Sequence, residues 1–205
     1  FAWCNSAYDI ASLAKSIEKT IIVALVGLLP SAKPTECINN PNVDIAVIGE
    51  PEYTALEIAD TLEKKGISGL SEAKGIEYKL NNEPKRTSPR PFLLNLDSLP
   101  LPARHLLPMK DYFSAVKKNP LRGEIKKPWA SMTTSRGCGN RCVYCINYLT
   151  MGRRWRARSP ENVINEIELL IKDYKVRQID FEDSNLTLNK KRMAAICDLI
   201  VERKL

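Results

Sequence analysis

Residues 131–145 read SMTTSRGCGNRCVYC, and this stretch decides the fold of the second half of the chain. Its first residues are small or β-branched, which is typical of a strand that ends in a tight turn. Three cysteines follow on a short loop, Cys138, Cys142 and Cys145, with the spacing C-x3-C-x2-C. Three closely spaced thiolates can bind three irons of a cubane [4Fe–4S] cluster. The spacing therefore predicts a cluster whose fourth iron is open to a small molecule.

Two other kinds of cysteine site stay open at this point. A structural zinc site usually has four protein ligands. The remaining candidates for a fourth ligand do not lie at a finger-like spacing; they are Cys4, Cys37, Cys197 and His105. A disulfide framework is disfavoured, because a chain of 205 residues can bury a core without such links. The pattern favours cluster ligation, with zinc or a redox-active trio as the alternatives.

Residues 1–75 alternate between helical and buried-strand patterns. A fully apolar segment, residues 21–27, and a mostly apolar one, residues 43–48, are typical of strands inside a parallel sheet. Residues 54–57, TALE, form a capping-box pattern that predicts the start of a helix, and Gly66 predicts its end. The alternation predicts a doubly wound α/β unit, which is a partial Rossmann-like domain.

Residues 76–127 change in character. An alternating segment, residues 76–80, is followed by the pair Asn81-Asn82, and this order is typical of a β-hairpin. Prolines then recur at intervals too short for regular secondary structure. The region is predicted to be a hairpin followed by a proline-rich connector.

Residues 128–205 show a strand–helix–strand–helix order. The strands are predicted at 130–136 and 178–182, and Ser159 is a favourable cap for the first helix. This order predicts the start of a β/α barrel, in which functional residues gather at the carboxyl ends of the strands. The three-cysteine loop follows the first strand, and Asp183 follows the second.

Composition narrows the class of protein. The longest apolar run, residues 21–29, is far shorter than the roughly 20 residues of a membrane-spanning helix. The net charge of +7 allows an anionic partner, and the basic run at residues 153–158 could grip one, but we favour a solvated loop there. Free cysteines and an oxygen-labile cluster predict a reducing cytoplasm. Because the chain starts at Phe1 and stops at Leu205 inside a helical pattern, we expect it to be part of a longer protein.

The order of several short motifs carries a resemblance. GEPE (49–52) follows a buried strand, and LDSLPLPA (96–103) precedes the cysteine loop. RSPENV (158–163) and FEDSNLT (181–187) come after it. This order, together with the C-x3-C-x-aromatic-C loop, resembles the B12-binding-domain class of radical S-adenosylmethionine (SAM) enzymes. The resemblance covers essentially the whole chain and implies a cobalamin-binding Rossmann-like domain followed by a SAM barrel.

The resemblance also implies cofactors and roles for individual residues. Cys138, Cys142 and Cys145 would bind the [4Fe–4S] cluster, and SAM would chelate its open iron and be cleaved reductively to start radical chemistry. Tyr144 matches the aromatic residue on the adenine side of SAM, and Asp183 matches an acidic position that often contacts SAM. The partners would be a small-molecule substrate and an electron donor such as flavodoxin or ferredoxin, with nucleic acid disfavoured.

The use of cobalamin stays open within this resemblance. Many members of the family transfer a methyl group from methylcobalamin, while others form rings or rearrange their substrates. The family usually has two glycines in the turn after the apolar strand, whereas this chain has one, in Gly27-Leu-Leu-Pro-Ser31. Leu28 adds a side chain where a close approach of the corrin is expected.

Two alternative functions share the cysteine spacing. A methylthiotransferase acting on RNA or protein would carry a second cysteine set in its N-terminal domain, and Cys4 and Cys37 are too few for that. A non-catalytic iron–sulfur or zinc module would need a fourth ligand near the loop, and none is evident in the sequence.

Overall fold

The computed structural model describes residues 4–115 and 127–205. Part of the predicted connector, residues 116–126, lies outside the described residues. The helices among the described residues are α1 (Cys4–Ile17), α2 (Leu28–Ala32), α3 (Pro34–Asn39), α4 (Glu52–Lys65), α5 (Met109–Ala115), α6 (Tyr148–Met151), α7 (Pro160–Tyr174) and α8 (Lys190–Glu202). The strands are β1 (Ala24–Leu25), β2 (Ile45–Val47), β3 (Ile76–Leu80), β4 (Glu83–Arg86), β5 (Trp129–Met132), β6 (Ser135–Arg136), β7 (Arg156–Ala157) and β8 (Gln178–Phe181).

These elements form two compact units. The N-terminal unit comprises the chain up to Leu93 together with Asn140–Arg153. The C-terminal unit comprises Leu94–Gly139 and Arg154–Leu205. Both units combine helices with sheets, as the predicted α/β class requires. The predicted domain limits, 1–75, 76–127 and 128–205, stay predictions.

The N-terminal unit is built on a four-stranded sheet in the order β1-β2-β3-β4. β1 and β2 are parallel, as expected, but β3 and β4 extend the sheet in antiparallel fashion. The parallel strands are shorter than the apolar segments that predicted them. One physical reason is Gly27, whose φ of 104° turns the chain away directly after β1.

The predicted hairpin is confirmed. β3 pairs with β4 across a two-residue turn, and Asn81 and Asn82 have φ angles of 54° and 62°. Two consecutive left-handed residues give a turn whose twist matches that of the strands, and asparagine tolerates this conformation better than most residues. The hairpin joins the sheet of the N-terminal unit through β2.

The predicted capping box at residues 54–57 is wrong. α4 begins at Glu52 behind Pro51, so Thr54 already lies in the first turn, and its hydroxyl donates to Glu50 O at 3.4 Å. Glu57 does not reach back along the helix, because its carboxylate accepts a hydrogen bond from Arg90. The predicted end is confirmed, since Gly66 closes α4 with a φ of 66°.

The C-terminal unit opens with two parallel neighbouring strands, β5 and β8, in the register Trp129↔Gln178 to Met132↔Phe181. α7 connects them and α8 follows, which is the predicted β-α-β-α order. The predicted cap of α7 is confirmed, because the Ser159 hydroxyl accepts a hydrogen bond from the backbone N–H of Asn162 at 3.1 Å.

A core of apolar side chains lies between these strands and helices. Its fully buried members are Met132, Val163, Ile164, Ile167 and Ile196. Cys197 lies on the apolar stripe that the sequence of α8 predicts, but it is exposed, whereas its neighbour Ile196 is fully buried.

The predicted strand at 130–136 is divided in two. β5 ends at Met132, and after two residues the short strand β6 pairs with β7 in antiparallel fashion. The chain therefore leaves the parallel sheet just before the cysteine loop.

The LDSLPLPA stretch of the connector is part of the C-terminal unit. The backbone N–H of Ser159 donates to both carboxylate oxygens of Asp97, at 2.9 and 3.2 Å, so Asp97 also caps α7. An acidic side chain at the N-terminus of a helix is stabilised by the helix dipole. The LDSLPLPA stretch is therefore fixed to the first helix of the predicted barrel.

Glu166 of α7 joins two arginines in the interior of the same unit. It is 1% exposed, and its Oε1 lies 2.6 Å from Arg104 Nη2, while Arg158 Nη1 donates to Oε2. Arg104 also donates to Ser131 O at 3.2 Å, and Arg158 to Asn162 Oδ1 at 2.6 Å. A buried carboxylate is tolerated when such partners replace its hydration shell.

Truncation of one buried side chain tests the core of the N-terminal unit. Ile76 is fully buried in β3, whereas Leu56 on α4 is 59% exposed. Ile76→Ala is expected to lower the free energy of unfolding by about 2–5 kcal/mol because it leaves a cavity, and Leu56→Ala by under about 1 kcal/mol. Denaturant titration of both variants checks this, and equal losses would contradict the packing described here.

A second pair of variants tests the buried ion cluster. Glu166→Ala is expected to lower the free energy of unfolding by about 3–5 kcal/mol, because it leaves two buried guanidinium groups without their counter-charge. The control is Glu168→Ala in the same helix, whose carboxylate pairs with Arg203 at the surface. This variant should cost under about 1 kcal/mol. Denaturant titration measures both, and a Glu166 variant as stable as the Glu168 variant would refute the role of the cluster.

Candidate functional site

Asp183 lies two residues beyond the end of β8, and its carboxylate binds the turn that follows β5. It accepts hydrogen bonds from the Thr134 backbone N–H, at 3.2 Å to Oδ1 and 3.1 Å to Oδ2. The hydroxyl of Thr134 donates to Oδ1 at 2.9 Å, and that of Ser135 donates to the same oxygen. These bonds connect the carboxyl ends of two parallel strands, where the sequence predicted a site.

Thr134 is held on its other side as well. Its carbonyl oxygen accepts from the Arg158 backbone N–H at 2.9 Å and from Arg192 Nη2 at 3.0 Å. Thr134 is 0% exposed, and all of its polar atoms have partners. Such complete satisfaction of a buried residue fixes the geometry of the turn.

Arg192 of α8 is the cation of this arrangement. Burial lowers its pKa, and the nearby Asp183 carboxylate counteracts that effect. Its Nε donates to Arg158 O at 2.8 Å, and its guanidinium carbon lies 5.9 Å from the centre of the Trp155 ring. Arg192 of α8 thus contacts both the Thr134 turn and the segment from Trp155 to Arg158.

The three cysteines differ in exposure. Cys138 follows the buried Gly137, whose φ is 79°, and is half-buried in the C-terminal unit. Cys142 is exposed and Cys145 half-buried, and both belong to the N-terminal unit, where the Cys145 N–H donates to Cys142 O at 3.1 Å. None of the three forms a disulfide. Within residues 4–115 and 127–205, no three His, Cys, Asp or Glu side chains are grouped so that they could hold a metal ion.

Tyr144 stands out from the cysteine loop, with 84% of its surface exposed. A hydrogen bond with Cys142 is the main cause that raises the pKa of its phenol. Its expected contact with SAM stays a prediction.

Glycines mark the carboxyl edge of the parallel strands in the N-terminal unit. Gly27 follows β1 and Gly49 follows β2, with φ angles of 104° and 86°. The Ser31 hydroxyl connects the two turns, because it donates to Gly27 O at 2.7 Å and accepts from the Gly49 N–H at 3.0 Å. A Cβ atom at Gly27 would meet no other atom within 4 Å, so a flat ligand could approach this backbone closely.

The segment after the third cysteine packs against the same edge. α6 lies against α2, and Gly152 faces the ring of Phe92, so that a Cβ atom there would come within 3.0 Å of the ring. This tight contact and the φ of 71° both favour glycine at position 152.

The expectation of a solvated basic loop was wrong. The basic run at 153–158 is not a solvated loop, since Arg156 and Arg158 are 5% and 9% exposed. Thr134, Arg158 and Arg192 were not expected as members of the site. A signal for Arg158 was present, because a glutamate on the buried stripe of α7, Glu166, requires a cation nearby.

Other candidates stay outside the site. His105, a candidate fourth ligand in the connector, is exposed. Among the described residues, no helix combines the length and apolar character needed to cross a membrane.

The comparisons with known proteins agree with the predicted family. The model of the radical SAM superfamily matches residues 132–204. The chain is 38% identical over 194 residues to the uncharacterized methyltransferase PH0819 of Pyrococcus horikoshii. The alignment covers 91% of this chain and 38% of that protein, so the chain spans well under half the length of this relative.

Two solved structures share the fold. The cobalamin-dependent SAM radical enzyme OxsB, with aqua-cobalamin and SAM bound, has a TM-score of 0.73 and 24% identity, over 100% of this chain and 28% of that one. The radical SAM methyltransferase TsrM from Kitasatospora setae, with cobalamin and a [4Fe–4S] cluster bound, has a TM-score of 0.68 and 16% identity, over 98% and 37%. The predicted fold class is thereby confirmed. Residues 132–204 of the chain therefore belong to the radical SAM superfamily, and the matched segment begins at the last residue of β5, just before the three-cysteine loop.

Proposed function

We propose that the protein of which this chain is a part is a cobalamin-dependent radical SAM enzyme that transfers a methyl group to a small organic substrate. The observation that carries the proposal is the three-thiol loop directly after a strand-end turn that is fixed by Asp183. The 38% identity to a protein described as a methyltransferase supports methyl transfer over ring formation or rearrangement.

The donor set of the loop fits a [4Fe–4S] cluster. Cys138, Cys142 and Cys145 offer three thiolates, and soft thiolates are the ligands that iron–sulfur clusters require. When bound, the cluster would supply an electron for the reductive cleavage of SAM. The electron would come from a donor such as flavodoxin or ferredoxin, and free thiols of this kind suit the reducing cytoplasm that we propose as the location.

Two side chains of this chain would bind SAM. Tyr144, exposed beside two of the cysteines, offers a ring face for the adenine. Among the described residues, Asp183 uses Oδ1 for three hydrogen bonds, whereas Oδ2 accepts one, from the Thr134 N–H. Because a carboxylate oxygen can accept more than one bond, Oδ2 retains capacity for the ammonium group of SAM.

The edge of the N-terminal unit fits a flat cofactor. At Gly27 the backbone is open to close approach, and Ser31 holds the turns of Gly27 and Gly49 together. Cobalamin bound at this edge would supply the methyl group. The residues of this chain would contribute shape and backbone contacts there, in agreement with the fold shared with OxsB and TsrM.

Loss of one thiolate tests the cluster assignment. Cys142→Ala in the full-length protein, reconstituted anaerobically with iron and sulfide, is expected to bind no [4Fe–4S] cluster and to cleave no SAM on reduction, because two thiolates cannot hold the cubane. The control is Cys197→Ala, which removes an exposed thiol on α8. Iron and sulfide analysis with detection of 5′-deoxyadenosine provides the readout. Unchanged cleavage in the Cys142 variant would refute the ligand assignment.

A matched pair of glycine variants tests the cobalamin edge. Gly27→Ala and Gly66→Ala both place a methyl group on a residue with positive φ and open space around its Cβ position, so both should lose about 1–3 kcal/mol of stability. Only Gly27 lies at the carboxyl edge of the strands, whereas Gly66 ends α4. Gly27→Ala should weaken the binding of aquacobalamin by about tenfold or more, measured from its visible absorbance, since its methyl group would hold the corrin off the backbone. Equal affinities of the two variants would argue against this edge.

A further inference from the structure

We propose that Asp183 is a positioning residue for the first cysteine: through Oδ1 it fixes the Thr134–Ser135 turn from which Cys138 extends. This inference rests on the proposed function, because it gives the turn the task of presenting a cluster ligand. The contact of Oδ2 with SAM is a separate role of the same side chain.

The position of Asp183 follows from the pairing of the strands. Met132 and Phe181 are partners at the ends of β5 and β8. Two residues further along each chain, Thr134 and Asp183 stand at the same level, and the carboxylate reaches across to the backbone and side chain of Thr134. In parallel strands the carboxyl ends lie at one edge, so an acidic residue here meets the neighbouring strand's exit.

The hydrogen bonds described for the Asp183 carboxylate come from the turn that follows β5, and their donors are Thr134 and Ser135. Asp183 therefore does more than cap its own loop. The carboxylate connects the ends of two strands, because its partners Ser135 and Thr134 lie 48 and 49 residues earlier in the sequence.

The fixed turn is close enough to control Cys138. Only Arg136 and Gly137 separate Ser135 from Cys138, so the span is at most about 11 Å of extended chain. Arg136 is itself held in β6 opposite Arg156, and Gly137 is buried with a left-handed φ of 79°. Little freedom is left between the anchored hydroxyls and the thiol.

Arg192 completes the anchor from the opposite side. Its Nη2 holds the carbonyl oxygen of Thr134, while Asp183 holds the N–H and hydroxyl of the same residue. Arg192 and Asp183, which lie on different elements and carry opposite charges, thus both bind the buried Thr134. This arrangement keeps the turn in one geometry when the cysteine loop binds or loses iron.

The test removes the hydroxyl donors and leaves the carboxylate untouched. In the full-length protein, Thr134→Val with Ser135→Ala deletes both hydroxyl hydrogen bonds to Oδ1 but changes no group proposed to touch SAM. Thr133→Val is the matched control, because it makes the same exchange one residue earlier, where the hydroxyl does not donate to Asp183. Ser135→Ala alone serves if the double variant does not fold.

The first readout needs no cluster. In the iron-free protein, alkylation of Cys138 by a maleimide, followed by mass spectrometry, is expected to proceed at least about threefold faster in the double variant than in wild type. Cys142, which is already exposed, should react at an unchanged rate and serves as the internal standard. An unchanged Cys138 rate would overturn the positioning role even if the protein proved not to be a SAM enzyme.

The second readout separates the two roles of Asp183. After reconstitution, the double variant should lose its iron to a chelator at least about threefold faster than wild type and Thr133→Val, with unchanged affinity for SAM. Asp183→Asn keeps a carbonyl acceptor for the hydroxyls, so it should retain iron but bind SAM more weakly. A double variant with wild-type iron retention would contradict the inference. A wild-type protein that assembles no cluster would instead refute the proposed function, and the alkylation rates would still decide the positioning role.

Discussion

The Asp183 carboxylate connects the two parallel strands of the C-terminal unit, β5 and β8, at the end where a site is expected. The Asp183 carboxylate closes the β5–β8 pair by holding Thr134 and Ser135, and the cysteine loop begins three residues later. An ionised acceptor gives stronger hydrogen bonds than a neutral one, and several donors on one oxygen favour a single geometry. The turn can therefore be rigid although the loop beyond it is largely exposed.

The interior of the same unit is built on a second use of charge. Glu166 on the buried side of α7 binds Arg104 from the connector and Arg158 from the segment after the cysteine loop. The carboxylate thus ties together stretches that are far apart in sequence. Because breaking a buried ion pair leaves an uncompensated charge, the connector and the first helix of the domain are expected to unfold together.

Features set by neighbouring residues could be predicted from the sequence. The Asn81-Asn82 hairpin and the Ser159 cap depend on residues within one turn of each other, and both are confirmed. The cysteine spacing indicated the family, which the match over residues 132–204 bears out. The position of Asp183 after the second strand followed from the barrel pattern, but its partners did not.

Features set by distant residues could not be predicted in this way. Arg158 was expected in solvent, yet it is buried because Glu166 two turns along α7 and carbonyl oxygens of other segments accept its hydrogen bonds. The TALE pattern is typical of a helix start, but the Glu57 carboxylate accepts a hydrogen bond from Arg90, 33 residues further along the chain. Cys197 and Ile196 are both apolar, and only the three-dimensional packing decides which of them is buried.

The central claim is that three thiolates of this chain leave one iron of a cubane cluster open to SAM. Mössbauer spectroscopy of the full-length protein, reconstituted with isotopically enriched iron, tests this most directly. The account predicts that the addition of SAM changes the spectrum of one iron site and leaves the other three as they were. A spectrum that does not respond to SAM, with all irons already bound by protein side chains, would contradict it.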